Sequence, residues 1–201
     1  MAGTAVTIRR EYFANSETDR AQSNINSLVA DLEKVRQRHT SCVLASAGLA
    51  IFGAASAIVK AVNAVNYMAS SAVGVTPVYG KTGANLSMAA LVGSVTAAKF
   101  NVFVFSWSDN GAGVLTLKSY MGVEGATRAA VIFPTVPTNE AVAGFVEINP
   151  TGTGNFVGGT TALDDATVVP NAAYVNVIGS PAFSSTRAAS ALTAYTVATF
   201  D

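Results

Sequence analysis

The apolar positions of residues 1–40 follow the spacing of a helix. Four aliphatic residues lie three, four and three positions apart, which places them on one stripe of a helix of about 20 residues. These residues are Ile25, Leu28, Leu32 and Val35. The run from Ser16 to Asp19 has the pattern of a capping box that begins a helix, and basic residues near Arg38 suit a helix C-terminus. The sequence therefore predicts an N-terminal α-helical arm over residues 1–40.

From residue 41 onward the pattern changes to short runs of β-branched and aromatic residues separated by turn residues. Strands are predicted at 56–60, 62–69, 100–107, 114–118, 128–133, 143–148 and 174–178. Asn110-Gly111 predicts a hairpin turn, and the spacing over 88–98 also allows a helix. Many short strands without intervening amphipathic helices predict a mainly β fold, with a β-sandwich or barrel-like domain after the helical arm.

These patterns divide the chain into three parts. Residues 1–40 form the arm for oligomerisation or anchoring, residues 41–179 the β-rich body, and residues 180–201 a C-terminal tail. The tail is either an extended arm that reaches a neighbouring subunit or a loop before a final strand at 194–200. No tandem repeat of fixed period is present, which argues against a solenoid or a repetitive fibre shaft.

Charge is concentrated in the arm. Residues 1–40 carry 11 of the 24 Asp, Glu, Lys and Arg residues, which leaves 13 for the other 161 positions. Charged residues are 12% of the chain, whereas a soluble domain usually has about 25%. This deficit favours a surface covered by partners over one kept soluble by Ser, Thr and Asn alone. The formal net charge is zero, so no basic field attracts nucleic acid.

The apolar stripe of the arm has two interpretations. It is either a self-association seam or the face with which the helix packs on its own domain. Two heptads are too few for a coiled coil by themselves, and the sequence leaves both interpretations open. Ile25, Leu28, Leu32 and Val35 are the predicted oligomer contacts.

Candidate chemistry is sparse. His39 is the only histidine and Cys42 the only cysteine, so one chain cannot form a zinc site from paired thiolates or two histidines. Gly80-Lys81-Thr82 lacks the first glycine of a phosphate loop. Asp164 is predicted to cap a turn, with a calcium site shared between subunits as the alternative. No catalytic, cofactor-binding or metal-binding residue is predicted, and we expect no enzyme activity and no small-molecule substrate.

One segment also fits a membrane helix. Residues 40–59 carry no charge, have about the length that spans a bilayer and follow a basic flank. The run is rich in Ala, Ser and Gly, however, and Gly53 interrupts it. Buried strands of a β core produce similar runs, so a small membrane-anchored protein is an alternative to the strand interpretation.

A resemblance to a known family covers about residues 43–178. The segment from Glu140 through Asn149-Pro150 and Asp164-Asp165 to Asn176 resembles virion structural proteins of tailed bacteriophages, which are described as head-fibre or capsid-decoration-like. Residues 95–105 and the run that begins at Ala55 resemble the same family. The resemblance implies a non-enzymatic virion component and supplies no catalytic residues. It also implies that the equivalent of 40–59 is strand.

Composition and resemblance lead to one expected function. We expect a capsid decoration or head-fibre subunit that forms a homo-oligomer on the capsid surface after synthesis in the host cytoplasm. A trimer is favoured by analogy with threefold attachment points, and the expected partners are the major capsid protein or another virion protein. The alternative is a tail-associated fibre or adhesin that binds host glycans, for which Trp107, Tyr120 and Tyr174 would need to be surface residues.

Overall fold

The computed structural model describes residues 20–28, 41–149, 151–170 and 172–179. The chain divides into two compact units, Met1–His39 and Thr40–Asp201. In the first unit, residues 20–28 form an α-helix. The rest of the predicted arm, including the capping box and His39, lies outside the described residues, as does the predicted strand at 194–200.

The described part of the second unit is mainly antiparallel β-structure with one short 3-10 helix, Arg128–Ala130. Its strands are β1 (Cys42–Val43), β2 (Leu49–Ile51), β3 (Val59–Ala61), β4 (Asn66–Ala69), β5 (Val78–Lys81), β6 (Leu86–Ser87), β7 (Ser94–Val95), β8 (Asn101–Asp109), β9 (Leu115–Met121), β10 (Ala141–Ile148), β11 (Phe156–Val157) and β12 (Ala173–Asn176).

The largest sheet has four strands in the order β12-β10-β8-β9, and each neighbouring pair is antiparallel. Strand β8 lies inside this sheet, and all nine of its residues are buried. The β8–β9 hairpin runs from Phe103 opposite Met121 to Asp109 opposite Leu115. Its turn contains Gly111 and Gly113, both at positive φ, where glycine is favoured because it has no Cβ. The hairpin predicted from the Asn-Gly pair is therefore confirmed.

The two faces of the large sheet are both covered, which explains the continuous apolar run in β8. Phe103, Phe105 and Trp107 belong to the larger core together with residues of the three-stranded sheets β1-β4-β5 and β2-β3-β6. Val102 and Val104 face a smaller core on the opposite side, where Val131 and Phe133 pack. Side chains alternate across a strand, so a strand covered on both faces is apolar at nearly every position.

A β-bulge adjusts β10 to its neighbours. Val142 pairs with Ser106 and Gly144 pairs with Phe105, which leaves Ala143 as the extra residue. Gly144 has φ +148°, and a Cβ built there would lie 2.1 Å from the carbonyl oxygen of Val175 in β12. The bulge therefore depends on glycine for both its conformation and its close approach to the edge strand.

The mainly β prediction is confirmed, but three finer expectations are wrong. The described sheets are open, with β9 and β12 at the edges of the largest, so the domain is not a closed barrel. Residues 88–98 are not helical. Met88, Leu91 and Val95 are buried from an irregular segment that ends in β7, and their spacing of three and four imitates a helix.

The predicted strand at 128–133 is also wrong. Its first three residues form the 3-10 helix, and Ile132 makes only an isolated bridge with Val123. Val131 and Phe133 are buried while Ile132 is partly exposed. The alternation that suggested a strand is present, but it comes from an extended segment that covers one face of the large sheet.

Residues 41–59 do not form the helix that a membrane anchor requires. They contain β1, β2 and the first residue of β3, so the strand interpretation is confirmed. In the part of the chain that the structure describes, no helix has the length and apolar character needed to cross a bilayer.

Candidate functional site

The predicted contact stripe of the arm is only partly within the described residues. Ile25 and Leu28 lie on the helix of residues 20–28, and both side chains are exposed. On the same helix Gln22 Nε2 donates to Asn26 Oδ1 at 3.1 Å, a polar pair at the favourable i, i+4 spacing. Leu32 and Val35 lie outside the described residues. The stripe therefore stays a prediction for which two of the four positions have exposed side chains.

The body contains a buried carboxylate that sequence reasoning missed. Glu140, just before β10, accepts hydrogen bonds from Ser106 Oγ at 2.5 Å, from Lys118 Nζ at 2.6 Å and from Tyr120 OH at 2.8 and 3.0 Å. Its side chain is fully buried, whereas that of Lys118 is 41% exposed. Ser106 pairs with Lys118 across β8 and β9, so strand register places these donors on one face. The contacts tie the start of β10 to the hairpin.

The protonation of this cluster follows from its contacts. The hydrogen bond to Glu140 raises the pKa of Lys118 above its usual value, although partial burial opposes the shift. Burial and then the hydrogen bond to Glu140 raise the pKa of Tyr120. Both donors therefore hold their protons more firmly than in water, and Ser106 is inaccessible to solvent. The cluster has the character of a structural tie, because none of its groups is both accessible and poised to release a proton.

A second buried carboxylate closes the β8–β9 hairpin. Asp109 Oδ2 accepts from Tyr67 OH at 2.5 Å, and Asp109 Oδ1 accepts from the amides of Gly111 and Gly113 at 2.8 and 3.2 Å. Burial and this hydrogen bond raise the pKa of Tyr67. The Tyr67 ring also packs edge-on against Trp107, with centroids 5.7 Å apart. These contacts link β4 to the end of β8.

The third buried carboxylate, Glu147 in β10, forms an ion pair with Arg128 of the 3-10 helix. The hydrogen bond to Glu147 raises the pKa of Arg128, and the pair holds the covering segment against the large sheet. Among the described residues, no group of three or more His, Cys, Asp or Glu side chains could hold a metal ion. Each of these acids thus contributes to the fold through partners of this chain.

The aromatic residues required for glycan binding are not exposed together. Trp107 is completely buried, and its face of β8 packs in the larger core. Tyr120 is partly buried and donates its hydroxyl to Glu140. Tyr174 is partly buried in β12, and burial, followed by the charge of Asp164, raises its pKa to about 12. Trp107 therefore cannot be part of a surface platform for sugars.

The remaining motifs have structural roles. Gly80 and Lys81 belong to β5 and Thr82 follows them, with Thr82 Oγ1 accepting from the Val65 amide at 3.0 Å. Asp164 Oδ2 accepts from the Ala55 amide at 3.0 Å, so it stabilises a turn, as predicted. Cys42 is buried in β1, as predicted, and burial raises the pKa of its thiol.

Large apolar side chains remain on the surface of the body, and sequence reasoning did not single them out. The exposed ones are Leu44, Phe52, Ile58, Val62, Val73, Val75, Tyr79, Val92, Val114, Val123, Ile132, Val157 and Ile178. Single exposed apolar residues are ordinary, whereas several on one face indicate an interaction surface. Phe52, Ile58 and Val62 meet that condition on the β2-β3-β6 sheet. The sequence signal was the run from Ile58 to Val62, in which aliphatic residues occupy both alternating sets of positions.

Comparison of the chain with protein-family models, with curated proteins and with solved structures found no match.

Proposed function

We propose that this chain is a non-enzymatic structural subunit that assembles with copies of itself. The observation that carries the proposal is how charge and apolar surface are distributed in the described body. Asp109, Glu140 and Glu147 are buried and engaged by partners of the same chain, while large aliphatic side chains remain exposed. A surface of this kind suits a protein that covers it with partners.

The proposed setting is the virion of a tailed bacteriophage. The resemblance of residues 140–176 to head-fibre and capsid-decoration-like proteins supports it. In this proposal the layered sheets form a sandwich-like body on the capsid surface, attached to the major capsid protein or another virion protein. Threefold attachment points are frequent on such shells, which by analogy favours a trimer.

The helical arm is proposed as the clasp between subunits. Ile25, Leu28, Leu32 and Val35 would form its contact stripe, and the exposed side chains of Ile25 and Leu28 support this assignment. A stripe of two heptads is too short to associate alone, so the body contributes further contact surface.

The test is the native mass of the full chain, measured by light scattering on a sizing column without detergent. A discrete oligomer supports the proposal, and a monomer contradicts it. Leu28→Glu should dissociate the oligomer if the arm is the clasp, because it places a charge in the apolar stripe. Ser23→Glu is the matched control, since it adds the same charge to an exposed position off the stripe. An oligomer that survives Leu28→Glu assigns the interface to the body.

A further inference from the structure

The sheet β2-β3-β6 has an unusual outer face. In its central strand, Val59 and Ala61 are completely buried against the core. The alternate positions, Ile58, Lys60 and Val62, therefore point outward. An antiparallel sheet that covers a core on one side normally places polar residues on the other, yet two of these three residues are aliphatic.

Phe52 extends this apolar face across the hairpin. Its amide donates to the carbonyl oxygen of Ile58 at 2.9 Å, which places the two residues opposite each other. Phe52 is 46% exposed, Ile58 38% and Val62 39%. The Lys60 ammonium lies 5.8 Å from the centroid of the Phe52 ring, within the range of a cation–π contact. We call these four residues, Phe52, Ile58, Lys60 and Val62, the outer face.

The charges around the outer face indicate what covers it. Lys60 supplies a positive charge, and the exposed Asp164 supplies a negative one where it binds the Ala55 amide in the same hairpin. A surface that carries both signs can meet its own copy with opposite charges facing each other. The formal net charge of the chain is zero, so two copies do not repel each other at long range.

We infer that the outer face packs against a second copy of this chain, with Phe52, Ile58 and Val62 buried and Lys60 paired with Asp164 of the neighbouring copy. This inference rests on the proposed function and names the part of the body that makes the contact. A nucleic acid or an anionic membrane fits the face less well, because one lysine is accompanied by one aspartate.

The test compares two valine-to-aspartate variants of the full chain. Val62→Asp introduces a charge on the outer face, whereas Val157→Asp makes the same change on β11, where the valine is 43% exposed against 39% for Val62. The dissociation constant of each is measured by light scattering over a dilution series. We expect Val62→Asp to raise it at least about tenfold, or about 1.4 kcal/mol, and Val157→Asp to leave it unchanged.

A milder variant guards against misfolding. Phe52→Thr removes the ring from an exposed position and keeps a residue suited to strands, so it should weaken association while the circular dichroism spectrum stays that of the unaltered chain. If folded Val62→Asp and Phe52→Thr proteins retain the original dissociation constant, or if Val157→Asp weakens association as much, the outer face is not the contact, although self-association stands. If the unaltered chain is monomeric at every concentration, both this inference and the proposed function are overturned.

Discussion

Replacing Glu140 with glutamine removes the charge of the most heavily bonded carboxylate in the body while keeping its shape. Glu140 accepts from Ser106, Lys118 and Tyr120. In Glu140→Gln the amide oxygen can still accept from Lys118, which has only donors. The amide nitrogen must then face Ser106 or Tyr120, whose hydroxyls can rotate to accept. The contacts therefore survive in weaker, uncharged form.

The expected cost follows from these contacts. A hydrogen bond to a charged group contributes about 1.5–3 kcal/mol and a neutral one about 0.5–1.5 kcal/mol, so each hydroxyl contact loses about 1 kcal/mol. The ion pair with Lys118 adds less than about 1 kcal/mol, because that side chain is 41% exposed and solvent screens it. Burying a neutral amide instead of a carboxylate returns part of this loss. We expect a net destabilisation of about 1–2 kcal/mol.

The assay is urea unfolding at one fixed protein concentration, because association also contributes to stability. The transition midpoint should fall while its slope is unchanged. Glu124→Gln is the matched control, since Glu124 is exposed and bonds only to Thr96 among its described partners, and it should change the midpoint little. A Glu140→Gln midpoint equal to that of the unaltered chain, or a Glu124→Gln effect of the same size, would refute the structural role of the buried cluster.

Three further predictions concern other parts of the body. Gly144→Ala should destabilise the body by at least about 2 kcal/mol in urea unfolding, because the new Cβ would lie 2.1 Å from the Val175 carbonyl oxygen at a φ of +148°. Tyr67→Phe should cost about 1–3 kcal/mol by the same assay, because the buried carboxylate of Asp109 loses a donor. Alkaline pH should destabilise the fold: the pKa of Tyr174 is raised to about 12 from the model value of 10.0, so its stabilising contribution is complete below pH 10 and is lost as the pH rises to about 12. Tyrosinate absorbance during an alkaline titration should show this late ionisation.

Each substitution has a control within the same chain. Gly53→Ala places a methyl group where nothing lies within 4 Å, so its unfolding midpoint should stay near that of the unaltered chain. Tyr79→Phe removes a hydroxyl from an exposed tyrosine and should also have little effect. If either control matches its partner variant, close approach at Gly144 or the buried bond of Tyr67 is the wrong explanation. Tyrosines that all ionise at the pKa of the unfolded chain would contradict the pH prediction.

The parts of the fold that depend on local pattern were predictable from the sequence. The β8–β9 hairpin followed from a run of aromatic and β-branched residues, an Asn-Gly turn and a second run, and Phe103, Phe105 and Trp107 share a core face as expected. The segment at 88–98 shows where local pattern fails. Met88, Leu91 and Val95 have helical spacing, but they are buried by contacts with distant strands.

The buried polar clusters could not be predicted, because they join residues far apart in the chain. Ser106 and Glu140 are separated by 34 positions, and Tyr67 and Asp109 by 42. No local spacing indicates that such residues meet, since their contact depends on strand order and register. The outer face was partly visible, because Ile58 and Val62 flank Lys60 at alternate positions. Deciding which alternating set faces solvent required the burial of Val59 and Ala61.

The most direct test of the central claim, self-association, is native mass spectrometry of the unaltered full chain over a range of concentrations. The account predicts one discrete species at an integer multiple of the 20.5 kDa chain mass, with three chains favoured. A single species at 20.5 kDa throughout the range would contradict it.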